Sequence, residues 1–234
     1  MILEIIKKEV IDLSSKDAAI SLSRFFKSNE LLKMNFLGIY VPSLRNIVKK
    51  YSNLPLNYIG QLLKDKYHEF NLLAILFLIN MFNNEKDYDK REEYFKFYCN
   101  HFIYINSWDL VDLSAPEIVG KYLLNKNREI LYNFAKDENF WVQRIAIVAT
   151  KEFIKNNDFQ DTITISKILL NHKNDLIHKA VGWMLREVGK KNFSLEYNFL
   201  VEDKRYKTMP RTMLRYSIEK FPKNLKQDFL KGNI

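Results

Sequence analysis

A chain of 234 residues that is 47% hydrophobic can bury a sizeable core and is too apolar to stay disordered. Its 37 Lys and Arg against 28 Asp and Glu leave a net charge of +9, which suits a polyanionic partner but equally a solvated lysine-rich surface, so charge alone does not separate the two. The single cysteine, Cys99, excludes an internal disulfide framework and a thiolate metal site, and only 6 Gly and 5 Pro argue against a turn-rich β fold.

The N-terminal MILEIIKKEVIDL alternates apolar and charged residues without a basic stretch ahead of an apolar core, so it does not read as a signal peptide. Ser15 is placed to cap the helix AAISLSRFFK. Pro42, Pro55 and Pro116 are read as first-turn prolines that start the helices SLRNIVKKY, LNYIGQLLKD and EIVGKYLL. The longest apolar stretch, residues 72–82, is broken by Asn80 and falls short of the ~20 residues that cross a bilayer. A soluble, cytoplasmic protein with no membrane contact is expected.

Helical periodicity continues through DKREEYFKFYCNHFIYI, NFWVQRIAIVATKEFIK, DLIHKAVGWMLREVGKK and PRTMLRYSIEKF. Only DTITIS, inside FQDTITISKILL, alternates in a way that leaves strand open. No Gly/Ser linker marks a boundary, so residues 1–234 are read as one all-α domain. Its four histidines (His68, His101, His172, His178) lack the spacing of a helical metal pair, and neither metal nor cofactor is expected.

One internal pair points to stacked helices. NFWVQRIAIVA from Asn139 aligns with DLIHKAVGWML from Asp175, an offset of 36 that puts Ala146 on Gly182, with Asn139 and Asp175 as caps. Small residues there would admit a close neighbour. In the same register Arg144 falls on Ala180, and Trp183 lies one turn beyond it, so Arg144 and Trp183 could project from adjacent helices toward one groove.

Within SWDLVDLSAPEIVG, Trp108 and Asp112 are four apart and share one helical face. Alone, that pattern fits a core indole with a solvated acid as well as a site. Likewise Arg144 and Trp183 fit plain packing as well as a groove.

Five segments together are more specific: FLGIYVPSLRNIVKKY, SWDLVDLSAPEIVG, FWVQRIAIVATKEFIK, LIHKAVGWMLREVGKK and MPRTMLRYSIEKF. In this order the chain resembles the DNA alkylation repair family of HEAT-like DNA glycosylases, from about residue 20 to residue 221. The resemblance implies an α-solenoid of HEAT-like antiparallel helix pairs with a concave basic cleft. It implies that Trp108, Asp112, Arg144 and Trp183 line that cleft as the catalytic set, and that Arg186 touches the DNA backbone. Arg144 and Lys179 are assigned to DNA as well. Arg211 and Arg215, an i,i+4 pair, could add backbone contacts, although solvated arginines fit the same spacing. Two departures stand out: Gln143, where relatives often carry a second basic residue, and Phe25-Phe26, where a tyrosine is common.

The implied activity is hydrolysis of the N-glycosidic bond of N3- or N7-alkylated purines in duplex DNA, the first step of base excision repair, by a bacterial monomer and without base flipping. The residue types suit it. An alkylated purine is cationic and leaves readily; an ionised Asp112 could stabilise the oxocarbenium-like sugar and orient water, while the indoles offer negative faces to the cation. A member that binds damaged or branched DNA without cutting, or a helical scaffold for a protein partner, are the alternatives; the presence of all four cleft residues weighs against both.

Overall fold

The computed structural model describes residues 2–26 and 34–234. Among them every regular element is helical, with one isolated parallel bridge between Asn35 and Tyr67. Packing gathers the chain into two compact units, Met1–Ser114 and Ala115–Ile234.

The first unit runs α1 (Ile2–Asp12), α2 (Lys16–Ser23), α3 (Val41–Lys50), α4 (Leu56–Leu63), α5 (His68–Asn84), α6 (Tyr88–Asn100) and α7 (Trp108–Ser114). Ser15 caps α2 as the sequence predicts, its hydroxyl oxygen accepting the Ala18 N–H. Pro42 sits in the first turn of α3. Pro55 is the residue before α4, one step earlier than expected, where its missing N–H still costs nothing. Helix α5 carries the long apolar run and is buried on nearly every side from His68 to Leu78, because α3, α4 and α7 pack around it. Its fully buried Leu73, Ile75 and Phe77 each contribute about 1.5–3 kcal/mol of burial.

The extended segment before α3 is fixed by α5. The Glu69 carboxylate accepts the backbone N–H groups of Leu37, Gly38 and Ile39 at 2.8, 2.8 and 3.3 Å. Gly38 has φ +81°, and a Cβ there would lie 2.0 Å from the Ser15 carbonyl oxygen, so only glycine passes beneath α2.

The second unit begins with a π-helical segment, Ala115–Gly120, and continues through α8 (Lys121–Leu123), α9 (Glu129–Phe134), α10 (Phe140–Ala149), α11 (Lys151–Lys155), α12 (Gln160–Ile168), α13 (Asp175–Lys191), α14 (Phe193–Val201), α15 (Arg205–Thr208), α16 (Arg211–Ser217) and α17 (Lys223–Lys231). Pro116 therefore does not open a new helix after a loop. It lies in π-helical turns, whose wider ring accommodates a residue that lacks an N–H. DTITIS is helix: Asp161, Thr162, Ile165 and Ser166 of α12 are buried, a 3.6-residue pattern that overrides the β-branched alternation.

Helix α13 is the centre of this unit, packed by α10, α14 and α16. Asn139 caps α10 through the Trp141 N–H, and Asn174, not Asp175, caps α13 through the Leu176 N–H. Aligned on these caps, the repeat shifts by one residue: Arg144 falls on Lys179 rather than Ala180, and Ala146 on Val181. Gly182 does admit a close neighbour, since a Cβ there would lie 2.4 Å from the Met213 carbonyl oxygen of α16.

Candidate functional site

In the first unit, the short helix α7 brings Trp108 and Asp112 onto one helical face, both half-buried. The Trp108 indole stacks on Phe26, with ring centroids 5.4 Å apart and planes 26° from parallel. Phe26 in turn meets Phe36 at 5.0 Å and the edge of His68 at 5.1 Å. These rings, with Tyr40 and Glu69, border a cavity of about 180 Å³. Of the Phe25-Phe26 pair, Phe26 is buried in this cluster and Phe25 is 70% exposed at its edge.

The two carboxylates of α7 have different surroundings. Asp109 accepts from His68 Nε2 at 2.7 Å and from the Ser107 hydroxyl at 2.6 Å, with little of its side chain exposed. Asp112 stands one turn beyond Trp108. Tyr98, buried and hydrogen-bonded to Ser114 at 2.7 Å, has its phenol pushed far above the usual range chiefly by burial, and the negative charge of Asp112 acts in the same direction.

In the second unit, Trp183 is half-buried on α13. Its indole N–H donates to Glu187 at 3.1 Å, and the Lys151 ammonium lies 4.6 Å from the ring centroid, within cation–π range. Lys190 pairs with the same Glu187 at 2.7 Å. Arg186 pairs with Glu219, and its Nε lies 3.7 Å from Glu187. Lys179 pairs with Asp175 at 2.7 Å, a spacing of one turn.

Arg144 is only 4% exposed and donates to the Leu176 carbonyl, tying α10 to the first turn of α13. Gln143 donates to the Asp137 carbonyl at 2.6 Å, which fixes the approach to α10 instead of offering a charge. On α16, Arg211 donates to the Leu230 carbonyl at 2.7 Å, while Arg215 is exposed and has no hydrogen-bond or ion-pair partner among the described residues.

Sequence reasoning passed over three features: the His68–Asp109–Ser107 chain, the Glu69 clamp and Lys151. Each joins residues distant in sequence, with the exception of Ser107 beside Asp109, and no periodicity links them. The HEFN run at the start of α5 was the one available signal, because it places two ionisable groups at the head of a helix that carries no other charge.

Among the described residues no helix is long and apolar enough to cross a membrane. No curated protein matches the chain in sequence. Among solved structures, the chain is similar to a predicted DNA alkylation repair enzyme from Enterococcus faecalis, with a TM-score of 0.71 and 18% identity over 90% of this chain and 97% of that one. At that identity the likeness carries the fold, an all-α helical-repeat fold. The family model described as DNA alkylation repair enzyme matches residues 6–221, nearly the whole length, and the chain therefore belongs to the DNA alkylation repair enzyme family.

Proposed function

We propose that the protein is a monofunctional DNA glycosylase that hydrolyses the N-glycosidic bond of N3- or N7-alkylated purines in duplex DNA. Family membership supports a role in the repair of alkylated DNA. The observation that carries the finer reading is the position of Asp112, half-exposed on the same face of α7 as Trp108 and one turn beyond it. Asp112 is assigned the electrostatic role: it faces the positive charge that develops on the sugar as the base leaves, and it orients the attacking water. The alkylated purine is already a good leaving group, so protonation by an acid is not required.

Trp108 and Trp183 are assigned to the sugar edge and the cationic nucleotide. Lys151, Lys179, Arg186, Arg211 and Arg215 are assigned to the phosphates. Arg144 is assigned a positioning role, because its buried guanidinium holds the first turn of the helix on which Lys179, Trp183 and Arg186 stand. The reading includes action as a cytoplasmic bacterial monomer and a lesion that stays stacked while its sugar-phosphate meets the protein.

The test is release of 7-methylguanine from methylated duplex DNA. Asp112→Asn is expected to abolish release while duplex affinity is kept; release at the wild-type rate would remove Asp112 from the mechanism.

A further inference from the structure

The indole N–H of Trp183 already holds an anion, and that anion belongs to the same helix. Trp183, Glu187 and Lys190 stand four and three residues apart along α13, so their side chains share one face. The Glu187 carboxylate accepts from Trp183 Nε1 at 3.1 Å and from Lys190 Nζ at 2.7 and 2.9 Å. Arg186 Nε lies 3.7 Å from the same carboxylate, close enough to add its charge and too far to donate. The Lys151 ammonium stands 4.6 Å from the indole centroid. Around this indole the cations Lys151, Arg186 and Lys190 therefore outnumber the acids Glu187 and Glu219, the second of which pairs with Arg186.

Two properties set Glu187 apart from an interior carboxylate. Its side chain keeps 19% of its surface open to solvent and that of Lys190 keeps 44%, so the pair lies where a large ligand reaches it. Its contacts are all to side chains of its own helix, so rotation about its own bonds frees them without moving α13. Ion pairs this open to water contribute little stability. A phosphodiester oxygen offers the N–H and the ammonium the same kind of anionic acceptor, and it arrives with the charge of a whole duplex behind it.

We infer that Trp183 Nε1, Lys190 and the charge of Arg186 form a seat for one DNA phosphate, and that Glu187 fills this seat in the free protein and leaves it when duplex binds. The inference rests on the glycosylase reading, which assigns Trp183 and Arg186 to the duplex; it adds Lys190 as a phosphate ligand and Glu187 as an internal competitor. Apparent affinity falls by the fraction of molecules whose seat stands open. Such a competitor weakens the hold on every duplex alike, and a search for lesions needs release from undamaged DNA as much as capture.

The test follows the indole Nε1–H resonances of the whole protein carrying isotope-labelled tryptophan, that of Trp183 being identified by its loss in Trp183→Phe. Inorganic phosphate at constant ionic strength is the first probe. In Glu187→Ala it is expected to move the Trp183 resonance at about tenfold lower concentration than in wild type, with Glu187→Gln between the two. Glu219→Gln removes the same charge from a side chain that makes no hydrogen bond to the indole, and should leave the wild-type response. Unmodified duplex is the second probe. Saturating wild type with it should shift the same resonance in the direction that phosphate does in Glu187→Ala, and Glu187→Ala should bind it about tenfold more tightly by fluorescence anisotropy. A Glu219→Gln response equal to that of Glu187→Ala would overturn the proposal, because general electrostatics would then suffice. So would a Trp183 resonance that stays in place in duplex-bound wild type, a measurement that needs no variant to fold. Excision of 7-methylguanine is measured beside these: its absence with a responding indole removes the glycosylase and keeps the seat, whereas its presence with a silent indole removes the seat and keeps the glycosylase.

Discussion

The Glu196 carboxylate rests on the backbone of Gly189: a Cβ built at position 189 would lie 1.6 Å from Glu196 Oε2. Helices α13 and α14 meet there, and the side chain that must yield is itself buried. Gly189→Ala is expected to destabilise the protein by about 1–3 kcal/mol, as overpacking does. Adding Glu196→Ala is expected to return most of that loss, because the obstacle is a side chain. For Gly182→Ala the obstacles include the backbone of Met213 and Ser217, and no single truncation is expected to rescue it. Urea denaturation of the single and double variants checks both.

Burial pushes the Glu196 carboxyl up to about 9 from an ordinary 4.5, against the pull of the Arg186 charge. Between those values the folded chain holds a proton that the unfolded chain has lost. Stability should therefore fall as pH rises through the window from about 4.5 to about 9, by at most about 1.4 kcal/mol per pH unit, and level off above it. Glu196→Gln should flatten that slope. Parallel pH profiles for wild type and variant would show that another group carries the dependence.

The two acids of α7 should part company when each is changed. Asp109→Ala leaves the His68 ring and the Ser107 hydroxyl without their acceptor and is expected to cost about 1–3 kcal/mol of stability. Asp112→Asn changes charge and almost no volume, and should keep the thermal midpoint near that of wild type while excision is lost. A large drop in midpoint for Asp112→Asn would make that residue structural.

Duplex affinity should report which cations are held back by acids. Glu219→Gln releases Arg186 and is expected to tighten binding at low salt. Lys151→Met removes the charge over Trp183 and is expected to weaken binding with a salt slope lower by about one. Both are read from a fluorescence anisotropy titration over a range of NaCl. An unchanged slope for Lys151→Met would place its ammonium away from phosphate.

Burial also raises the Cys99 thiol to about 12, so almost no thiolate is present at neutral pH. Iodoacetamide at pH 8 should label the folded protein far more slowly than the urea-unfolded chain. Comparable rates would mean that α6 opens readily around this residue.

Much of the fold was legible because it follows from local rules. Ser15, Pro42 and the amphipathic stretches behave in the structure as their chemistry dictates, and the five family segments identified the family. DTITIS left strand open because β-branched alternation is a local preference, and burial of one α12 face outweighs it. The cap of α13 was misplaced by one residue because Asn174 and Asp175 are both good caps and only the backbone decides between them. The surroundings of the candidate residues were the least legible part. Phe26, Phe36, His68 and Trp108 belong to four separate stretches, and Lys151 lies on a different helix from Trp183, so nothing in local spacing announces their meeting.

The clamp on Leu37, Gly38 and Ile39 has a further consequence for solubility. Three consecutive amides turn to one side because the backbone passes through φ +81° at Gly38, and a single carboxylate meets all three. Exchange of Glu69 for an apolar residue would therefore do more than loosen a loop: it would leave three donors without an acceptor, and self-association through those amides is the failure to watch for in such a variant.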